Sequence, residues 1–149
     1  MLKVGDKAPD FSELNEDGET LTLADFAGKK LVLYFYPKDN TPTCTTQACN
    51  LRDNYESLLQ NGYAVIGIST DSVASHKRFK TKHNLPFPLI ADIDQRMVQA
   101  YGVWGEKKNF GKTYMGVNRT TFVIDESGVI TEIISKIDAK AHSGQIIKQ

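Results

Sequence analysis

The sequence has no surplus of charge of either sign, since its 149 residues carry 18 Lys and Arg against 18 Asp and Glu. Nucleic-acid binding needs a basic surplus on one face, so this balance argues against a nucleic-acid partner. The chain also lacks any apolar run that approaches the roughly 18 residues of a membrane-spanning helix. Its first residues lack the apolar segment of a secretory signal. We therefore expect a cytoplasmic protein with no membrane partner.

Cysteine is also scarce, because the chain contains only Cys44 and Cys49. A domain of this size does not need a disulfide, and a bond between residues so close in sequence would constrain the unfolded chain little. The two thiols are therefore either ordinary small core residues or the carriers of redox chemistry or metal binding. Composition leaves these alternatives open, and the residues around the cysteines have to decide between them.

Two continuous apolar runs, residues 31–36 and 63–69, predict strands that are buried on both faces of a sheet. The apolar residues between these runs recur at spacings of three and four: Ala48, Leu51, Tyr55, Leu58 and Leu59. This spacing predicts one helix, which Asn61 and Gly62 end. A strand–helix–strand unit of this kind implies a parallel pair of strands joined by a crossover.

The rest of the chain continues the alternation of helices and strands. It predicts two more helices at residues 72–84 and 93–101, and a short edge strand at residues 88–91. Residues 121–124 and 129–134 are predicted to form an antiparallel hairpin, and the tail from Ala139 a short last helix. The three histidines fall in polar helical stretches and are expected at the surface: His76, His83 and His142. The sum is an α/β protein, a single domain over residues 1–149 with a thioredoxin-like fold, in which helices flank a mixed central sheet.

The segment from Pro37 to Cys44 lies where the first buried strand ends and the next helix begins. Ligands of open α/β folds bind at this carboxyl end of the sheet. Pro42 and Thr43 suit a helix start, so Cys44 falls within the first helical turn. Unpaired N–H groups and the positive end of the helix dipole lie there, and both favour the thiolate, which is the nucleophilic form of cysteine.

Helix register separates the two cysteines. Cys44 lies on the apolar stripe that faces the core, whereas Cys49 lies well round the helix. Five residues of α-helix place their Cα atoms ~8.6 Å apart, beyond the limit of about 7 Å for a disulfide. A bond between them therefore requires the first helical turns to unwind. The alternative is a thioredoxin-like chaperone that holds a soft metal through Cys44, Cys49 and a histidine. The same spacing argues against it, because one helix cannot bring both sulfurs to one ion.

Three further residues are candidates for the chemistry around Cys44. The hydroxyl of Thr41 is either a helix cap or a donor to the thiolate, and Pro37 fixes the exit from the strand. Arg119 opens the late β segment, where it is either a solvated surface charge or the cation that a developing anion needs. Taken singly, these residues leave both alternatives open.

The spacing Pro37-x-x-x-Thr41-x-x-Cys44 resembles the active-site signature of the peroxiredoxins. Cys49 resembles the second cysteine of the Q-type subgroup, also called bacterioferritin comigratory proteins. Further similar segments run the length of the chain: residues 4–11, 85–89, 101–107 and 119–125. The resemblance implies a thioredoxin fold and a peroxidase that reduces hydrogen peroxide and organic hydroperoxides without a metal or an organic cofactor.

The resemblance also implies a role for each candidate residue. Cys44 matches the peroxidatic cysteine, which becomes a sulfenic acid, and Cys49 matches the resolving cysteine, which then forms a disulfide with it. Thr41 matches the hydroxyl that helps to hold the peroxide, Pro37 the shielding proline and Arg119 the activating arginine.

The implied partners are a hydroperoxide and thioredoxin or a similar dithiol, and we expect a monomer or weak dimer. A non-catalytic binding module that inherited the fold is the remaining alternative. Loss of Thr41 or Arg119 would indicate such a module, and both residues are present.

Overall fold

A computed structural model describes residues 1–147, which form a seven-stranded mixed sheet, a separate two-stranded sheet and five α-helices. In chain order the elements are β1 (Ser12–Asn15), β2 (Thr20–Thr22), a 3-10 turn (Leu23–Phe26), β3 (Lys30–Phe35), α1 (Pro42–Asp53), α2 (Tyr55–Gln60), β4 (Tyr63–Ser69), α3 (Val73–His83), β5 (Leu89–Ala91), α4 (Arg96–Ala100), β6 (Trp104–Asn109), β7 (Lys112–Val117), β8 (Thr120–Ile124), β9 (Ile130–Ile134) and α5 (His142–Ile146). Within the described range, no helix combines the length and the apolar character that crossing a bilayer requires.

The large sheet has the strand order β2-β1-β5-β4-β3-β8-β9. The two apolar runs form β3 and β4, which pair in parallel as predicted. On its other side β3 pairs antiparallel with β8, which continues into the predicted hairpin with β9. The strand that leads into the cysteine segment therefore lies in the interior of the sheet, between a strand of the parallel half and a strand of the antiparallel half.

Alternation along β3 divides the core into two layers. Leu31, Leu33 and Phe35 face one hydrophobic cluster, and Tyr34 and Tyr36 face the other, which also contains the buried side of α1. Full burial of a large apolar side chain stabilises the fold by roughly 1.5–3 kcal/mol. The central strand and α1 are therefore held by the same packing that buries the first cysteine.

Several boundaries differ from the prediction. The predicted single helix is wrong, because it breaks at Asn54 into α1 and α2. The edge-strand assignment is also wrong, because β1 of the N-terminal hairpin pairs with β5 on its outer side. The helix predicted at residues 93–101 is α4, which starts only at Arg96 because Gln95 lies in the left-handed region at φ 61°. The short last helix is confirmed as α5.

The expectation that the histidines are surface residues is wrong for two of the three. His76 and His142 are fully buried. Each has hydrogen-bond partners for its ring in the interior, which removes the penalty of burying a polar group. His142 contacts Thr121 and Gln145, while His76 belongs to a network beside the cysteine segment. His83 is half-buried.

Candidate active site

Cys44 is the third residue of α1, as the sequence predicted for the first helical turn. Thr41 is the N-cap residue in extended conformation, with φ −80° and ψ 152°. Pro42 follows at the first helical position, where its missing N–H is no loss. The Cys44 side chain points into the core, and the residue is only 1% exposed. The helix start therefore presents its unpaired N–H groups around a buried thiol.

A guanidinium contacts this thiol directly. Arg119 Nη2 lies 3.2 Å from Cys44 Sγ, and Arg119 Nη1 donates to Gln47 Oε1 at 2.7 Å. Arg119 directly precedes β8, whose first residue pairs with Phe35 at the end of β3. The antiparallel β3–β8 pairing thus places Arg119 at the end of β3, next to the loop that leads to Cys44. A cation in this place stabilises both a thiolate and a developing oxyanion.

Gln47 is a residue of the site that the sequence analysis missed. It is fully buried, one turn after Cys44 on the same face of α1. An arginine only donates, so its contact requires the amide oxygen of Gln47 to face Arg119. The helical spacing from Cys44 was the available signal, but nothing in the sequence pairs Gln47 with Arg119.

Thr41 and Pro37 lie on the loop between β3 and α1. The Thr41 hydroxyl donates to the carbonyl oxygen of Lys38 at 3.0 Å, which keeps the loop turned towards the helix. Pro37 is half-buried. It lines a groove of about 300 Å³ together with apolar and basic side chains of the loop and of the β6–β7 hairpin: Lys38, Trp104, Lys107, Tyr114 and Met115. The groove therefore opens beside the loop that leads to Cys44.

The surroundings of Cys44 are positively charged. Lys107 donates to the carbonyl oxygen of Val117 at 2.8 Å. Burial and the positive charge of Arg119 lower the pKa of Lys107, while the charge of Cys44 opposes this shift. On the other side, burial and the nearby Cys44 raise the pKa of Tyr34 well above 10.0. Tyr34 therefore stays neutral, whereas Arg119 and Lys107 bring positive charge to the region of the thiol.

The loop itself is held by a buried polar network around Asp39. The Asp39 carboxylate accepts hydrogen bonds from Tyr36 Oη at 2.6 Å, Ser75 Oγ at 2.8 Å and His76 Nδ1 at 2.8 Å. Burial opposes ionisation of Asp39, but the hydrogen bonds and charge of His76, with Tyr36 and Ser75, outweigh it and lower the pKa of Asp39. The network ties the loop to α3, although the sequence analysis assigned it no role.

Cys49 is half-buried in the second turn of α1, on a different side of the helix from Cys44. Its Sγ lies 4.0 Å from Nδ1 of His83, the last residue of α3. Both cysteines are free thiols. Because α1 is a continuous helix over both, the sequence-based separation of ~8.6 Å between their Cα atoms applies.

One cluster within residues 1–147 brings three potential metal ligands together, and it consists of Asp39, Asp71 and His76. Its ligand atoms are already engaged in hydrogen bonds, since Asp71 Oδ2 accepts from the Asp39 N–H and from Ser69 Oγ. Neither cysteine belongs to it. The geometry therefore lends no support to a metal chaperone built on Cys44 and Cys49.

Comparison with known proteins identifies the family of this chain. Residues 4–133 match the AhpC/TSA family. The chain is 48% identical over 146 residues to a putative peroxiredoxin bcp of Coxiella burnetii, covering 98% of this chain and 97% of the relative. It is 46% identical over 147 residues to peroxiredoxin Bcp of Bacillus subtilis, covering 99% and 94%.

A solved structure of the Xanthomonas campestris bacterioferritin comigratory protein superimposes with a TM-score of 0.85 at 33% identity. The alignment covers 91% of this chain and 87% of that protein. The fold is therefore the thioredoxin-like fold of the peroxiredoxins, which are thiol peroxidases. With the buried thiol, its arginine and the second cysteine all inside the matched region, this chain belongs to the AhpC/TSA family, among the Bcp or Q-type peroxiredoxins.

Proposed function

We propose that this chain reduces hydroperoxides with Cys44 as the peroxidatic cysteine and Cys49 as the resolving cysteine. The observation that carries the proposal is the contact of 3.2 Å between Arg119 Nη2 and Cys44 Sγ at the start of α1. A buried thiol with a guanidinium and free N–H groups around it is built to hold a negative charge.

In the first step, the Cys44 thiolate attacks the terminal oxygen of the hydroperoxide. The S–O bond forms as the O–O bond breaks, Cys44 becomes a sulfenic acid, and the leaving alkoxide or hydroxide takes up a proton. Arg119 stabilises the thiolate and then the leaving oxygen through Nη2. Gln47 holds Arg119 in place, because its Oε1 accepts a hydrogen bond from Arg119 Nη1. Thr41 supplies the hydroxyl that helps to hold the peroxide, and Pro37 shields the thiol from water.

In the second step, the start of α1 unwinds and the Cys49 thiol condenses with the sulfenic acid. A disulfide forms and water is released. Unwinding is needed because the regular helix keeps the two Cα atoms ~8.6 Å apart, whereas a disulfide needs about 7 Å or less. Thioredoxin or a similar dithiol protein then restores both thiols by disulfide exchange.

The substrates we propose are hydrogen peroxide and small organic hydroperoxides. The Xanthomonas campestris protein is described by its alkyl peroxide reduction activity, and the groove beside Pro37 offers apolar side chains to an alkyl group. We further propose that residues 1–149 act as a single domain, as a monomer or weak dimer in the cytoplasm. Light scattering of the purified protein tests the oligomeric state.

A thiol count by mass tests the function. Reduced protein treated with one equivalent of hydrogen peroxide is expected to lose two titratable thiols and two mass units, which corresponds to one intramolecular disulfide. Cys44→Ser should leave the peroxide unconsumed. Retention of both thiols with full peroxide present would refute the proposed function.

A further inference from the structure

His83 lies beside the second cysteine in a way that the steps above do not use. Its Nδ1 is 4.0 Å from Cys49 Sγ, within the range of a hydrogen bond to sulfur. The ring edge packs against Phe79, with ring centroids 5.1 Å apart and an interplanar angle of 70°. The ring is therefore held by packing, and a nitrogen that can accept a proton is directed at the thiol.

The part of α1 that carries Cys49 is anchored to its surroundings. Arg52 Nη1 donates to the backbone carbonyl oxygen of His83 at 2.8 Å. Asn50 donates from Nδ2 to the Lys140 carbonyl oxygen at 2.9 Å and accepts from the Ser143 N–H at 2.9 Å. These contacts hold the second half of α1 to α3 and to the C-terminal segment.

The first half of α1 has a different set of contacts. Beyond the helix itself, Cys44 Sγ and Gln47 Oε1 accept hydrogen bonds from Arg119. Helix ends are among the first parts of a fold to open. Unwinding from the N-terminus therefore carries Cys44 out of its pocket, whereas Cys49 stays beside His83.

The charges around His83 favour its neutral form. Burial lowers the pKa of His83 from 6.5, and the positive charges of Lys82 on its own helix and Arg52 on α1 lower it further. Asp53, the acidic residue next to Arg52 on α1, is paired with Arg52 at 2.9 Å. At neutral pH the imidazole is therefore deprotonated and can accept a proton.

We propose that His83 is the general base of the resolution step. This inference rests on the proposed function, in which Cys49 attacks the sulfenic acid of Cys44. As the S–S bond forms and the S–O bond breaks, the thiol proton of Cys49 passes to Nδ1 of His83. The hydroxide that leaves Cys44 takes up a proton and becomes water. The two sulfurs exchange electrons only with each other, so the step needs no further oxidant or reductant.

Rapid-mixing kinetics with His83→Gln separate this step from the first one. Fluorescence of Trp104, the one tryptophan of the chain, can follow both phases, because this residue lines the groove beside Pro37. Quenching with a sulfenic-acid reagent and measuring the mass assigns each phase. The substitution keeps the contact of Arg52, which is made to the backbone of residue 83. Arg78→Gln, an exposed position on the same helix, is the matched control.

We expect oxidation of Cys44 to proceed at the wild-type rate in His83→Gln. Disulfide formation at neutral pH should slow by about 10²-fold, the lower end of what general-base catalysis commonly contributes. The wild-type resolution rate should fall only at pH values below 6.5, because the pKa of His83 is lowered from that value. In His83→Gln the rate should instead keep rising in alkaline buffer, because hydroxide replaces the imidazole.

An unchanged resolution rate and pH profile in His83→Gln would overturn the role of His83 while leaving the peroxidase function intact. Absence of a disulfide in the wild-type protein would instead refute the proposed function itself. His83→Phe keeps the ring contact with Phe79 but has no basic nitrogen, so it should show the same defect. If both variants also slowed the oxidation of Cys44, the effect would be structural and the proposal would be wrong.

Discussion

Replacement of Arg119 by Met is the sharpest test of the electrostatics at Cys44. At the observed 3.2 Å between Nη2 and Sγ, a unit charge pair interacts by about 5 kcal/mol at an effective dielectric constant of about 20 and by about 1.3 kcal/mol at that of water. Since the thiol is buried and the arginine half-buried, the true value lies between these limits. At about 1.4 kcal/mol per tenfold change in rate, the two limiting energies correspond to a loss of about tenfold and of a few thousandfold in the rate of Cys44 oxidation.

The expected outcome is a fall of about 10²–10³-fold in the second-order rate of Cys44 oxidation, which is the usual cost of removing one such donor. Stopped-flow mixing of reduced protein with hydrogen peroxide measures this rate. Arg119→Lys keeps the charge but cannot contact Cys44 and Gln47 with a rigid fork, so its rate should be intermediate. Arg78→Met removes an exposed arginine on α3 and should react like the wild type.

Equal oxidation rates in Arg119→Met and Arg78→Met would refute this reasoning. Arg119 would then be a structural partner of Gln47 rather than an activator of the thiol. A circular dichroism spectrum and an unchanged unfolding midpoint are needed as well, since a misfolded variant would lose the rate for a different reason.

Four further changes test the rest of the site. Gln47→Leu should slow Cys44 oxidation by about 10- to 100-fold, because one hydrogen bond to a charged group contributes about 1.5–3 kcal/mol to its placement; stopped-flow mixing measures the rate. Cys49→Ser should react with one equivalent of peroxide and accumulate a sulfenic acid that trapping reveals. Hydrogen exchange should show that oxidation exposes amides 45–48. Asp39→Asn should lower the free energy of unfolding at neutral pH by about 1–3 kcal/mol in denaturant titrations, because it weakens a buried acceptor for Tyr36, Ser75 and His76.

Each of these predictions has a result that would contradict it. A wild-type rate in Gln47→Leu would mean that Arg119 needs no support, and an unreactive Cys49→Ser would exchange the roles of the cysteines. Equal protection of the start of α1 in both redox states would defeat the unwinding. The pKa of the Asp39 carboxyl is lowered from 3.8 in the folded protein. The carboxylate therefore stabilises the fold above that pH, and this stabilisation is lost as the pH falls below it. A stability of Asp39→Asn equal to wild type at pH 7 would mean that the hydrogen bonds to Asp39 do not stabilise the fold.

Local patterns in the sequence were enough to place Cys44 at the start of a helix. The apolar run before Pro37 predicted the buried strand, and the proline at position 42 predicted the helix start that puts Cys44 in the first turn. Helix register alone separated Cys44 from Cys49. These inferences succeed because strand burial, helix capping and helical phase depend on residues that are close neighbours along the chain.

The contacts that complete the site depend on the tertiary structure. Arg119 meets Cys44 across 75 positions of sequence, His76 meets Asp39 across 37, and His83 meets Cys49 across 34. Burial of His76 depends on acceptors that come from another segment of the chain. Strand order and helix packing decide which residues form such pairs. Strand order and helix packing depend in turn on the summed burial of the whole core rather than on any local pattern. Neighbouring residues along the chain are therefore enough to predict where Cys44 lies in its helix, whereas the side chains that surround it depend on how the whole chain folds.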